Sequence, residues 1–358
     1  MTAMKKSILT FLFAGIHLGF LLNGCAPDTS APTATAEDPD SDKLKIAMMT
    51  TVAGLGDEAF NDALLEGTKR FADENGLELT VVEPQELQDF QINATSFGQQ
   101  GYDLVFICEN TVNDIIREVA PQFPDTRYVL IEGAVDDVEN ITCLQFETAD
   151  VGFLCGAFAA AMSQEISGDM STGWIGGVRT PITESTMFST MAGAAYMGGE
   201  CQVAWVGSYN DIGKAKEIAL QMYNGGASIV TVFAGGANSG VFQAAESFPE
   251  GKYAMGAGLG QFNLSPERIV ASNVKAMDTF TYEACKKFME GTLESGIIVG
   301  GFQDKAVELR YSPEPAFEGF VPDELKEQMA ELQEQIVNGE IDPPSNQEEY
   351  DAFISSLS

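Results

Sequence analysis

Two carboxylates, an aromatic ring and an amide stand together at Asp57-Glu58-Ala59-Phe60-Asn61, just after Gly54-Leu55-Gly56. Carboxylates accept hydrogen bonds from hydroxyls, attract cations and repel phosphate. Phe60 offers a π-face on which a flat ring can stack, and Asn61 both donates and accepts. This set suits a neutral, flat, polyhydroxylated ligand better than a nucleotide. Each residue also has a plainer role. Phe60 could anchor the following helix, Asp57 could be a favourable N-terminal charge, and Asn61 could be an N-cap.

The elements that must hold this set read clearly. Ile46 to Met49 is a short apolar run of buried-strand type. Leu64, Leu65, Thr68 and Phe71 then recur at helical spacing up to the stop Asn75-Gly76. A loop between a strand and a helix N-terminus is where open α/β sheets bind ligands, because backbone N–H groups are free there. Strands follow at 77–82, 102–108, 128–131 and 141–146, with helices at 88–100 and 113–123. Such near-continuous apolar strands argue for a parallel sheet covered on both faces.

The pattern then restarts. A Gly-rich helix at 151–162 is apolar all round and should be packed on every side. Strands at 172–176, 202–206, 229–233 and 253–256 alternate with helices at 184–196, 212–224 and onward to Ser247. Helices at 274–290 and 322–337 close the chain. Two rounds of βα units predict two similar lobes facing each other across a cleft. Strand ends supply further candidates. Glu109 and Asn110 face either the cleft or solvent, while Tyr209 and Phe233 face either the cleft or the core. Gly235 opens the glycine loop after Phe233.

Lys5 and Lys6 precede an apolar stretch from Ile8 to Leu22, a leader-peptide pattern. The stretch is shorter than the roughly 20 residues of a spanning helix. Leu21-Leu22-Asn23-Gly24-Cys25 resembles a bacterial lipobox, so a leader at 1–24 and lipidation of Cys25 are expected. Residues 26–43 hold no large apolar side chain, and 25–43 reads as a disordered tether.

Composition excludes whole classes of function. The single histidine, His17, lies in the leader, which leaves the mature chain without a His triad, base or metal ligand. A net charge of −34 makes nucleic acid a poor partner. Cys108, Cys143, Cys155, Cys201 and Cys285 are widely spaced in apolar surroundings and read as core thiols. No cofactor, metal or catalytic role is expected. Carboxylate chemistry on Asp57 and Glu58 is the one enzymatic route left open.

The ordered set of motifs resembles the basic membrane protein family, substrate-binding lipoproteins of ABC importers whose studied members include purine nucleoside receptors. The set runs from Gly54 to Asp62 with Glu66-Gly67, through Gly101-Tyr102-Asp103 and Phe123-Pro124-Asp125, to Gly207-Ser208-Tyr209-Asn210-Asp211. It continues through Gly225-Gly226-Ala227, Ala234-Gly235-Gly236, Gly240-Val241-Phe242 and Val274-Lys275. The resemblance implies a type I periplasmic-binding-protein fold, of α/β class, with two Rossmann-like lobes joined by three crossovers, a hinge and a ligand cleft. Lobe 1 would be 44–148 plus about 273–305, and lobe 2 would be 149–272 plus about 306–358. Implied partners are a purine-nucleoside-like small molecule, ABC permease subunits and the membrane through the lipid anchor, around a monomer. A ligand-sensing receptor on the same fold, or a binder of a different small molecule (a sugar, a modified nucleoside or another metabolite), is the alternative.

In nucleoside-binding relatives the base stacks between aromatics while acids, an amide and a lysine hold the ribose hydroxyls. Asp57, Phe60 and Asn61 match the first-loop positions, and Lys275 matches the lysine that points at the sugar. The chain also departs from the pattern. Where relatives read GVDSDQ, it has Gly256-Ala257-Gly258-Leu259-Gly260-Gln261, so Gly258 and Gly260 replace both acids. Glu109 and Asn110 stand in a loop that is usually glycine and aromatic. Arg179 replaces an acid and is either a lobe-to-lobe salt-bridge partner or an anion contact. These departures predict a rearranged ligand shell.

Overall fold

Four-residue runs such as Ile46–Met49 and Leu104–Ile107 have no polar face, so only the interior of a sheet covered on both sides satisfies them. The computed structural model describes residues 43–56 and 60–357. The expected leader, Cys25, the tether up to residue 42, and Asp57 with Glu58 lie outside them. The first half runs β1 (Ile46–Met49), α1 (Phe60–Asn75), β2 (Leu79–Val82), α2 (Leu87–Gln99), β3 (Leu104–Ile107), α3 (Asn113–Val119), β4 (Arg127–Ile131) and β5 (Ile141–Phe146). The second runs α4 (Thr148–Ser167), β6 (Ser171–Gly176), α5 (Pro181–Tyr196), β7 (Glu200–Trp205), α6 (Ile212–Asn224), β8 (Ile229–Phe233), α7 (Asn238–Glu246), β9 (Tyr253–Gly258) and β10 (Ile269–Lys275). The chain ends with α8 (Met277–Met289), β11 (Gly296–Gly300), β12 (Val307–Tyr311), α9 (Asp323–Val337) and α10 (Gln347–Ser356).

The strands form two six-stranded sheets, ordered β11-β5-β4-β3-β1-β2 and β12-β10-β9-β8-β6-β7. All pairings are parallel except that of β12 with β10. The chain passes between the sheets three times: from β5 into α4, from β10 into α8, and from β11 to β12. This is the two-lobed architecture of type I periplasmic binding proteins.

One expectation is corrected here. Val274 and Lys275 do not begin a helix; they end β10, which is paired on one side with β9 and on the other with β12. The helix starts at Met277, so the crossing falls at Ala276. Pairing on both sides fixes these residues as extended whatever their helical spacing suggests.

Glycines set how closely the helices pack. Helix α4 is buried from Val151 to Ser163, and Gly156 lies against the backbone of Thr190 in α5. Gly193 lies in turn against the Phe153 carbonyl, with Ala157 N only 2.9 Å from where a Cβ would stand. One continuous apolar cluster joins Ile46, Leu64 and Phe71 of the first lobe to Phe153, Phe158 and Leu332 beside the second sheet. Each fully buried Phe in it contributes roughly 1.5–3 kcal/mol. Helix α9 packs on α4 and α10 on α5, so the acidic tail is an integral cover of lobe 2.

Candidate functional site

The carboxyl ends of the two sheets meet. Glu132 follows β4 directly, and Lys275 is the last residue of β10; their side chains form a hydrogen-bonded ion pair between the lobes. Both side chains are nearly excluded from solvent, at 5% and 7% exposure. Burying two charges is tolerated only when they are paired, since each alone has a desolvation cost of several kcal/mol. Glu132 has φ of 58°, the left-handed region that non-glycine residues seldom adopt. Its N–H is held by Leu144 O of β5 at 2.8 Å. Strain of this kind persists where the surroundings impose it, as they commonly do at binding sites.

Two rings flank the ammonium. The Phe146 centroid at the end of β5 is 5.5 Å from Lys275 Nζ, and the Phe233 centroid at the end of β8 is 5.1 Å away. A cation near a ring face is stabilised by the ring quadrupole. Four strand ends, two from each lobe, thus place an acid, a base and two π-faces together. Lys275 and Phe233 are among the residues expected at the site. Glu132 and Phe146 were not foreseen, although an acid directly after the apolar run Tyr-Val-Leu-Ile is the signal that marks Glu132.

The first loop is built from within. Asn61, 1% exposed, accepts from Thr51 N–H at 2.8 Å and donates to Thr51 Oγ1 at 3.0 Å. It is the second residue of α1, so it ties the loop to the helix and does not occupy the N-cap position. Glu83, just after β2, accepts from Leu55 N–H at 2.9 Å, and Asp62 accepts from Gly56 N–H at 2.9 Å. Phe60 opens α1, half-buried and packed against the main core cluster. Asp57 lies outside the described residues.

Glu109 of the first lobe and Tyr209 of the second are close enough to interact electrostatically. Burial, with the Glu109 carboxylate adding to it, pushes the Tyr209 phenol above its ordinary value. Glu109 Oε1 also accepts from Thr111 Oγ1 at 2.7 Å, which fixes its own loop. Asn110 is half-buried, and its carbonyl accepts from Asn113 Nδ2 at 3.1 Å. The Tyr209 ring lies against Gly177, with its Cβ 3.4 Å from where a Cβ on Gly235 would stand. Gly235 (φ 57°) and Gly258 (φ 65°) both take left-handed conformations that suit glycine. Asn238 and Gln261 tie these two loops together: Asn238 Nδ2 donates to Gln261 Oε1 at 3.0 Å, and that oxygen also accepts from Ala257 N–H at 3.2 Å.

Arg179 is held within its own lobe in this structure. Its Nη1 pairs with Glu184 Oε1 at 3.1 Å, and its guanidinium lies 4.7 Å from the Trp205 ring centroid. Both partners belong to lobe 2, within reach of a short loop. The side chain is 62% exposed. Among the described residues no cluster of metal-ligating side chains is present.

Two α/β lobes crossed three times by the chain, with charged and aromatic groups at their facing strand ends, define a type I solute-binding protein. The chain belongs to the Bmp family, ABC transporter substrate-binding proteins of the PnrA-like type, whose family model matches residues 44–347. This is a family of substrate-binding proteins, not an enzyme class. The chain is similar to the ABC transporter nucleoside-binding protein BmpA of Lactococcus lactis, at 25% identity over 96% of this chain and 100% of that one. An uncharacterized lipoprotein of Pyrococcus abyssi is 28% identical over 99% of this chain and 96% of its own. A crystal structure of an ABC transporter solute-binding protein from Aeropyrum pernix superposes with a TM-score of 0.78. At 23% identity, over 88% of this chain and 97% of that one, it shows the shared fold.

Proposed function

We propose that the protein is the extracytoplasmic receptor of an ABC importer, capturing a purine nucleoside or similar small polar ligand between its lobes. The carrying observation is the buried Glu132–Lys275 pair between Phe146 and Phe233. An acid and an ammonium side by side suit vicinal hydroxyls, which accept from one and donate to the other. Phe233 and Phe60 offer π-faces for the base. Glu109 and Tyr209 supply further polar contacts, and the motif match assigns Asp57 and Asn61 to the ligand as well. The printed name of the Lactococcus lactis relative supports the ligand class.

Lipidation at Cys25 holds the domain outside the cell membrane, and the tether after it gives the receptor reach toward the permease. Relatives named as lipoproteins support this. Among the described residues no helix is long and apolar enough to cross a membrane. A second reading follows from Gly258 and Gly260. Without acids at these positions the sugar side is less restrictive, which favours a modified nucleoside or another polar metabolite.

A melting-temperature screen against nucleosides, free bases, sugars and amino acids tests the reading, because a ligand that binds only the folded state must raise the transition. A shift with guanosine, inosine or adenosine that Phe233→Ala abolishes is the expected result. A shift with sugars alone would retain the fold and the receptor role but sink the nucleoside assignment.

A further inference from the structure

We propose that Asn273 is a specificity-determining residue of this site, reading the polar edge of a flat heterocycle stacked on Phe233; the inference rests on the nucleoside reading above. Asn273 is 1% exposed in β10. Neither its amide nitrogen nor its amide oxygen has a hydrogen-bond partner among the described residues. Its strand is otherwise rich in apolar residues, Ile269-Val270-Ala271 before it and Val274 after it. Buried amides in native proteins nearly always find partners, so an orphan here is a poor choice for folding alone.

Register shows what the amide faces. Asn273 is level with Ala257 of β9. The β8–β9 register pairs Thr231 with Met255, and continuing it by two residues sets Phe233 level with the same Ala257. Level residues in a parallel sheet share a face, as do residues two apart on one strand. Phe233, Ala257 and Asn273 therefore form a row, with Lys275 on the same face one step beyond. The small Ala257 leaves a gap between ring and amide.

Lys275 bridges that gap. Its ammonium is 5.1 Å from the Phe233 centroid, although β10 and β8 are two strand spacings apart, about 10 Å. The ring and the lysine side chain between them therefore span the space over β9. A heterocycle stacking on Phe233 needs the same space. As Lys275 gives way to it, Ala257 becomes the floor and the Asn273 amide the end wall. An amide presents an acceptor beside donors, which matches the adjacent N7 acceptor and exocyclic amino donor of adenine. Guanine and hypoxanthine present two acceptors there, N7 and O6, and meet only its donor side, so adenosine should be the best of the nucleosides.

Calorimetric titration of the full-length protein in detergent, with inosine, adenosine, guanosine and purine riboside, tests this. Purine riboside lacks the exocyclic group. Wild type should bind it at least tenfold more weakly than its best nucleoside. Asn273→Val and Asn273→Ala should lose at least tenfold for that best nucleoside and bind it and purine riboside equally, with Asn273→Val melting no lower than wild type. Variants that keep the wild-type preference overturn the inference and leave the ligand class standing. An equal loss for all four compounds marks a packing role and also overturns it. Wild type that binds none of the four overturns the ligand class and the inference together.

Discussion

Gly67 of α1 rests directly on the backbone of α8, so that a Cβ there would stand within 2.8 Å of the Asp278 carbonyl carbon and closer still to its oxygen. This contact links the two pieces that carry the site: α1 bears Phe60 and Asn61, and α8 starts two residues after Lys275. Gly67→Ala forces the helices apart. A destabilisation of about 1–3 kcal/mol is expected, read as a lower urea midpoint at unchanged slope. Ligand affinity should fall with it, since the lysine and the first loop lose their common support. A variant as stable as wild type would mean that the helices separate freely and the contact fixes nothing.

The Glu132–Lys275 pair should behave as a unit. Either Glu132→Leu or Lys275→Met leaves one charge buried without its partner, and each is expected to destabilise by about 3–5 kcal/mol. The double variant replaces both charges with apolar groups and should lie much nearer wild type. Urea unfolding of the four proteins closes the cycle. Additive losses would show that water, not the partner, solvates each charge.

Much of the architecture was legible because parallel strands buried on both faces read as short, mainly apolar runs: Ile46–Met49 is apolar throughout, and Ile229–Phe233 is broken only by Thr231. Strand β10 was not legible, because Ser272 and Asn273 interrupt its apolar run and Lys275 precedes a true helix. Tertiary pairing decided the matter there. At the site, Phe233 was visible as a strand-end residue and Lys275 only through its place in a familiar motif order. Glu132 was passed over because a lone acid after a strand usually faces water, and only the approach of β10 from the other lobe buries it. Arg179 was visible as unusual, but sequence spacing could not show that Glu184 and Trp205 would hold it within its own lobe.

The thiols should be inert. Cys143, Cys155 and Cys285 are buried, and burial pushes each of them up from the ordinary thiol range. The thiolate is the reactive form, so native protein at pH 8 should react with a thiol reagent more than about 100-fold more slowly than free cysteine at these positions. Burial pushes the Cys201 thiol up as well, to about 12, but the residue lies on the edge strand β7 and is only half-buried, so access of the reagent should make it the first of the five to label. Mass mapping after graded exposure gives the order. Early labelling of Cys155 or Cys285 would reveal opening of the α4 or α8 packing that the fold does not anticipate.

Asp150 gives lobe 2 a pH dependence of definite sign. It sits in the first turn of α4, just past the crossing from β5, and its carboxyl is pushed up to about 6 by burial first, then by Glu147 and Asp342. A helix N-terminus favours a carboxylate, but here desolvation outweighs that effect. In the unfolded chain the group titrates near about 4. Below that pH both states hold the proton, and Asp150 costs nothing. Between about 4 and 6 the unfolded chain releases its proton while the fold retains its own, so stability falls as pH rises, and above about 6 the full penalty stays. Asp150→Asn should therefore stabilise by on the order of 1 kcal/mol at pH 7.5, after discounting for solvent screening of a partly exposed group. At pH 4 the gain should vanish. Urea unfolding of both proteins at both pH values checks it. A destabilised variant at pH 7.5 would mean that the helix N-terminus holds the ionised carboxylate after all.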